Sequence, residues 1–594
     1  MSIADQPLRT DRIDGPSEPA SSSAATPPTS GRWARARTVA TWVMTVLAAL
    51  LVWFALVAPD RLDRLGPGAF VRIPIEGLVI VAVSVILPPR ARRILAIVVG
   101  LALGLLTVLK ILNMGFFTEL DRPFNPVTDW SFFGPAAGVL RDSVGQTWTV
   151  VAEILAVLLV IALLVLVPLS VLRLTRLTAR HRAASVRTIG ALGLVWILCA
   201  VLGVKIVSGL PIASTSAAGL AYDQAQEVRH GLKDQQVFAA TLAAHDPLRG
   251  TPSADLLTGL RGKDVIVAFV ESYGRIAVQG SAFSPQVDAV LNAGTNSLSK
   301  AGFSSRSAFL TSPTFGGISW LAHSTLQSGL WIDNQGRYNQ LVASDRFTLS
   351  DAFKRAGWRT VSDIPSNEGD WAQGTSFYNY DKLYNGSNVG YIGPKFSYAA
   401  MPDQYTLAAF QRLELAKRNH TPVMAEIDLV SSHTPWAPLP RMVDWNKVGD
   451  GSIFDGMPQH GQSAAAVWRD PNQVRAAYGQ SIQYSLTALI SFVQTFHDNN
   501  LVLVLLGDHQ PATIVSGTGG NHDVPITIVA HDPNMLDRIS SWGWQDGMLP
   551  SPQAPVWRMD AFRDRFLTAF GTAAAPTTAA AAAVTVNRSA AGRS

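Results

Sequence analysis

Leu501-Val-Leu-Val-Leu-Leu506-Gly507-Asp508-His509 decides the fold of this chain. An unbroken apolar run closed by a glycine reads as a strand buried on both faces of a parallel sheet. Open α/β sheets place their sites beyond the carboxyl ends of such strands, so Asp508 and His509 emerge where chemistry is expected. A second run, Asp264-Val-Ile-Val-Ala-Phe-Val270, ends on Glu271 and repeats the pattern. Two carboxylates and an imidazole at strand ends are donors for an oxygen-rich or mixed N/O metal site. Taken singly, Glu271 also fits a helix cap and Asp508-His509 a turn. Their combination favours the metal site.

Around these two strands, strand-like segments at 264–270, 358–362, 422–430, 501–506 and 524–530 alternate with helical segments at 319–328, 348–356, 404–418 and 473–497. That order predicts a βαβ architecture with a parallel or mixed sheet over 263–571. No internal repeat and no Walker or Rossmann glycine pattern interrupts it.

The N-terminal part has another character. Apolar stretches at 38–58, 73–87, 94–114, 150–172 and 189–207 approach the roughly 17 to 25 residues that cross a bilayer. They predict a five-span helical domain over 38–208, with 73–87 the weakest because it is short and holds Pro74 and Glu76. Arg32, Arg35 and Arg37, then Arg90, Arg92 and Arg93, then Arg173, Arg176, Arg180, Arg182 and Arg187 occupy alternate flanks, which the positive-inside rule assigns to the cytoplasm. The part after about residue 209 then lies outside the membrane. Lys110, Glu153 and Lys205 fall near outer ends of the spans, where they can snorkel. A connecting arm of helical character covers 209–262. The segments 1–31 and 572–594 are low-complexity and expected to be disordered.

The net charge of +5 is explained by these arginines, so it does not point to nucleic acid. The single cysteine, Cys199, lies in the last span, which leaves the external domain without disulfides or thiol chemistry.

Thr314-Phe-Gly-Gly-Ile-Ser319-Trp-Leu-Ala-His323 supplies a nucleophile. Paired glycines before an amphipathic stretch put Ser319 at a helix N-terminus, where the dipole favours an alkoxide or a phosphate. Ser319 also suits a plain cap, and Thr314 is the alternative nucleophile. His323 is expected to pack along the helix.

The order Glu271, Ser319, His433, Asp508-His509 resembles the alkaline phosphatase and sulfatase superfamily. Within it the chain is similar to membrane phosphoglycerol transferases of the lipoteichoic acid synthase type. That resemblance implies five spans carrying an extracytoplasmic sulfatase-like α/β domain, and one divalent metal ion (Mn, Mg or Zn) on Glu271, Ser319, Asp508 and His509. It also implies a headgroup contact from His433, in Ser431-Ser-His433-Thr-Pro-Trp436, and a substrate-binding Trp371. His522 is a further substrate ligand or an ordinary solvated loop residue. Ser319 stands where the family usually has threonine, and Gln373 where it has a phosphate-binding arginine. Ser319-Trp-Leu-Ala-His323 lacks the proline and arginine of the sulfatase motif, which argues against sulfate ester hydrolysis.

The expected function is transfer of a phosphoglycerol or related headgroup from a phospholipid to an envelope glycolipid or glycan, through a covalent phospho-Ser319, at a bacterial-type plasma membrane. A phosphatase or phosphodiesterase with the same site is the alternative, and a non-enzymatic envelope or transport protein the second rival.

Overall fold

The computed structural model describes residues 30–572, apart from 208, 209, 368 and 418. The two expected disordered tails therefore lie almost wholly outside the described residues.

The N-terminal part is a bundle of α1 (Ser30–Val57), α2 (Ile75–Ile86), α3 (Pro89–Leu120), α4 (Gln146–Arg180) and α5 (Arg182–Val201). Four of these are long and apolar enough to cross a membrane. The expected second span is the exception: α2 has 12 residues, about 18 Å at 1.5 Å per residue. Prolines bracket it, because Pro74 pairs in a short parallel strand, Ile73–Pro74 with Ala213–Ser214, and Pro88 precedes α3.

Hydrogen bonds orient the bundle. Arg173, near the end of α4, donates to Thr41 O at 2.6 Å, close to the start of α1. Lys110 of α3 donates to Ala55 O at 2.8 Å, near the end of α1. So α1 and α3 run in the same direction, α4 runs against them, and the arginine-rich ends gather at one side. Lys110 does not snorkel as the sequence suggested: it is 2 % exposed and satisfies carbonyls that end α1.

The arm contains α6 (Ser216–Ala243), tied to the bundle by the Ala218 N–H on Glu76 Oε1 at 2.8 Å. It is tied to the following domain by Arg337, which donates to Asp234 Oδ2 at 2.9 Å.

The C-terminal domain is built on one mixed sheet of β1 (Asp264–Val270), β2 (Ser304–Thr311), β3 (Arg359–Ile364), β4 (Lys382–Asn385), β5 (Val423–Leu429), β6 (Leu501–Gly507), β7 (Asp523–Ala530), β8 (Gln545–Asp546) and β9 (Val556–Arg558). Its order is β8-β2-β7-β6-β1-β5-β3-β4, with β9 beside β2. The run β6-β1-β5-β3-β4 is parallel; β7 is antiparallel to both β6 and β2. In β1, Ile266, Ala268 and Val270 pack into one hydrophobic core while Val265, Val267 and Phe269 pack into the other. A strand covered on both faces must be apolar at every position, which accounts for the unbroken runs in β1 and β6.

The helix expected at 404–418 ends earlier, as Asp403–Phe410 followed by a π turn at Gln411–Leu415. Asp403 fixes the segment after β5: it accepts from Ser431 N–H at 2.9 Å and from Ser485 Oγ at 2.6 Å. Replacing a fully buried acceptor by a methyl leaves both donors unsatisfied. Asp403→Ala should cost about 2 to 4 kcal/mol, read as a fall in denaturation midpoint at unchanged m-value, and Asp403→Asn should recover most of it.

Candidate metal centre

Register brings the site together. Gly507 pairs with Val270 and Val270 with Leu429, so β6, β1 and β5 end at one level and release Asp508, Glu271 and Val430 side by side. Gly507 cannot be larger, since a Cβ there would lie 1.9 Å from Tyr273 O.

Ser319 opens α7 (Ser319–Ser328), preceded by Ile318 in the left-handed region at φ 67°. Its hydroxyl donates to Glu271 Oε2 at 2.9 Å and lies 3.2 Å from His509 Nε2. His509 Nε2 is 3.2 Å from Glu271 Oε1 and 3.5 Å from Asp508 Oδ2. The other ring nitrogen, Nδ1, lies 2.8 Å from Gln510 O and donates to it, which turns Nε2 towards the cluster. Asp508 Oδ1 accepts the N–H groups of Ser272 and His509, each at 2.7 Å. Ser272 adopts φ 57°, a second left-handed non-glycine residue beside the site. Such backbone is costly and persists where its surroundings hold it, here a donor to Asp508 and the Tyr478 hydroxyl on Ser272 O at 2.8 Å.

Asp508 Oδ2 is buried and accepts no hydrogen bond. Two carboxylates, a lone-pair imidazole nitrogen and a hydroxyl, with one oxygen unsatisfied, form a donor set that fits a divalent cation. Without one the site must find positive charge elsewhere. Burial pushes Asp508 up to about 7, and the charge of Glu271 adds to it. Burial opposes charge on His509, but Asp508 and Glu271 outweigh it and raise the imidazole to about 9. Both protons must leave before the ligands can hold metal, so apparent Mn affinity should rise steeply between pH 6 and pH 9. Equilibrium dialysis across that range checks this, and a flat profile would refute it.

The remaining expected residues have these contacts. His433 follows β5; its Nδ1 lies 2.6 Å from Thr434 O, and its ring stacks on Tyr398 with centroids 3.5 Å apart. The preceding Ser432 hydroxyl donates to Glu271 O at 2.7 Å, which couples the His433 segment to the acid of the cluster. The Thr314 hydroxyl donates to Gly317 O at 2.5 Å. His522 rests against Phe315 with centroids 5.4 Å apart, while its carbonyl accepts from Ser312 N–H. Trp371 packs on Tyr378 and helps line a cavity of about 70 Å³ with Ser362, Asn367 and Asn388. Among the described residues neither a ring contact nor a hydrogen bond joins Trp371 to Ser319, Glu271, Asp508 or His509.

The site stands on the membrane bundle. A Cβ on Gly316, three residues before Ser319, would lie 1.6 Å from Glu119 O at the end of α3. Thr513 Oγ donates to Thr118 O at 2.5 Å, and Gly519 N–H to Asp121 Oδ2 at 2.6 Å. Trp320 packs against Phe132 with centroids 6.0 Å apart.

A mixed α/β sheet that gathers these donors at its carboxyl edge, mounted on a bundle of apolar helices, is the class of molecule the chain builds. No family model and no curated protein matches it. Its structural neighbours among solved proteins include the lipoteichoic acid synthase LtaP from Listeria monocytogenes, at 14% identity and TM-score 0.31 over 46% of this chain and 66% of that one. A protein in the alkaline phosphatase superfamily from Vibrio parahaemolyticus matches at 15% identity and TM-score 0.32, over 50% and 69%. The integral membrane lipooligosaccharide phosphoethanolamine transferase A from Neisseria meningitidis matches at 12% identity and TM-score 0.41, over 89% and 95%. The chain thus spans just under two thirds of the Listeria protein's length. At such identities and scores no function carries across.

Proposed function

We propose that the chain is a membrane-anchored phosphotransferase that moves a phosphoglycerol or related phospho-alcohol headgroup from a phospholipid to an envelope glycolipid or glycan. The observation that carries this reading is a helix-start serine hydroxyl, 2.9 Å from Glu271 and 3.2 Å from His509, in a site packed on the end of a membrane helix. The arginine-rich ends of the bundle lie away from that helix end, so the positive-inside rule favours an extracytoplasmic catalytic domain. Outside the cell ATP is absent, and a phospholipid is a donor already loaded with phosphorus.

Glu271, Asp508, His509 and the Ser319 hydroxyl would hold one divalent cation (Mn, Mg or Zn), which when bound lowers the hydroxyl pKa and offsets phosphate charge. Ser319 Oγ gives up its proton towards Glu271 and bonds to phosphorus as the bond from phosphorus to the diacylglycerol oxygen breaks; the leaving oxygen takes up a proton. The α7 N-terminus favours the resulting phosphodiester on Ser319. His433, held through Thr434 O and Tyr398, accepts the proton of the incoming hydroxyl that displaces Ser319. Trp371 and His522 are assigned to the wider substrate cleft.

The test is mass spectrometry of the full-length protein in detergent, supplied with Mn and phosphatidylglycerol or phosphatidylethanolamine. A headgroup-phosphate adduct on Ser319, with diacylglycerol released, supports transfer and identifies the donor by mass. Release of free headgroup phosphate whether or not a glycan acceptor is present would assign the chain to hydrolases instead.

A further inference from the structure

One turn beyond Ser319 on α7, His323 stacks on Phe269 with centroids 3.7 Å apart and directs Nδ1 at two acids of β5. It lies 2.9 Å from Glu426 Oε1 and 3.5 Å from Asp428 Oδ1. Residues two apart on a strand share a face, which is how one strand supplies both carboxylates. Tyr380 donates to Glu426 Oε2 at 2.9 Å and Gln327 donates to the same oxygen, leaving Oε1 to face the imidazole. Asp428 Oδ1 is buried and accepts no hydrogen bond. On the neighbouring strand Asp363 is 1 % exposed, and its Oδ2 is likewise without a hydrogen bond. Burial, then the charge of Asp428, pushes Asp363 up to about 8. No lysine or arginine forms an ion pair with these three acids among the described residues, so the His323 imidazole is the one basic group set against three carboxyl groups.

This arrangement shares two features with the Glu271–Asp508–His509 centre. Each has one histidine nitrogen near 3 Å from one carboxylate and 3.5 Å from another, and each has one carboxylate oxygen left without a hydrogen bond. The ligand atoms of His323, Glu426 and Asp428 all lie within 4.8 Å of one another. His323 and Asp428 keep 12% and 18% of their side chains exposed, which gives an ion a way in.

We propose that His323, Glu426 and Asp428 form a second divalent-cation site, separate from the first but carried on the same nucleophile helix. Mixed nitrogen and carboxylate donors suit Mn²⁺ or Zn²⁺. The site does not depend on which group the protein transfers, and its test uses no substrate.

Full-length protein in detergent is stripped with chelator and dialysed against Mn²⁺, or separately Zn²⁺, and bound metal is measured by mass spectrometry. Wild type should hold about two equivalents per chain, Asp428→Asn about one, and Asp508→Asn about one, because each substitution removes a ligand from one site only. His323→Gln is the second variant, with a cooperative melt required of both. One equivalent in the wild type overturns the site, as do two equivalents retained by Asp428→Asn and His323→Gln. Loss of both metals in a folded Asp428→Asn chain would overturn the separation of the two centres. Metal retained by the Asp428→Asn, Asp508→Asn double variant would assign the surplus to the surface and overturn it too.

Discussion

Ser319→Ala should remove the adduct and lower headgroup release about 10⁴-fold or more, because among the described residues only the Ser319 hydroxyl is hydrogen-bonded to both Glu271 and His509. The substitution deletes a half-buried hydroxyl at a helix start, so stability should change by only about 1 kcal/mol. Turnover and the melting curve are measured on the same preparation. Thr314→Ala is the matched comparison: its hydroxyl serves the turn at Gly317 O, and activity should fall about tenfold at most. A Ser319→Ala chain that keeps full turnover while Thr314→Ala is dead would move the nucleophile to Thr314.

The second large effect comes from the contact between loop and membrane helix. Gly316 adopts φ +74°, and a Cβ there would run into Glu119 O, a backbone atom of α3 that cannot rotate away. Gly316→Ala should force the loop off the bundle and displace Ser319, lowering lipid-dependent turnover about 100-fold, since misplacement by an ångström costs that much. Gly317 is the internal control. Its φ of 159° is likewise a conformation that L side chains rarely adopt, but a Cβ there would meet only Leu120 Cδ2 at 3.9 Å, so this position carries the backbone strain without the clash. Gly317→Ala should therefore lose about tenfold at most, well short of the loss in Gly316→Ala. Equal losses in the two variants would refute the docking argument.

The sheet and the cluster were legible where burial imposes a pattern. β1 and β6 are covered on both faces, so every position had to be apolar, and the acids at their ends stood out against those runs. Ser319 was legible through the paired glycines before it. β2 escaped notice because Ser304-Ser-Arg-Ser307 is polar, although Ser307 to Leu310 are buried beneath the neighbouring strands. Its place is fixed by β7 on one side and by β8 and β9 on the other, which no local pattern encodes. The span expected at 73–87 was overread, since apolar composition continues through residues that the flanking prolines keep out of the helix. The sequence pattern places His323 as a packing residue on the helix. Its ring does pack, on Phe269, but its nitrogen meets Glu426 and Asp428, whose alternation in the strand 422–430 was the signal available. Ser432, Ser272 and Tyr398 hold the site through a carbonyl, a backbone N–H and a ring face, interactions that leave no mark on sequence spacing.

The short helix α2 bears on the lipid itself. Val79, Val83 and Ile86 present an exposed apolar stripe, yet the helix is only about 18 Å long against a hydrocarbon layer of about 30 Å. A bilayer meeting that stripe thins to match it, at a fraction of a kcal/mol per ångström. Thinning draws both leaflets inward along this side of the protein. Lipids packed along α2 then have headgroups displaced from the plane of the surrounding membrane.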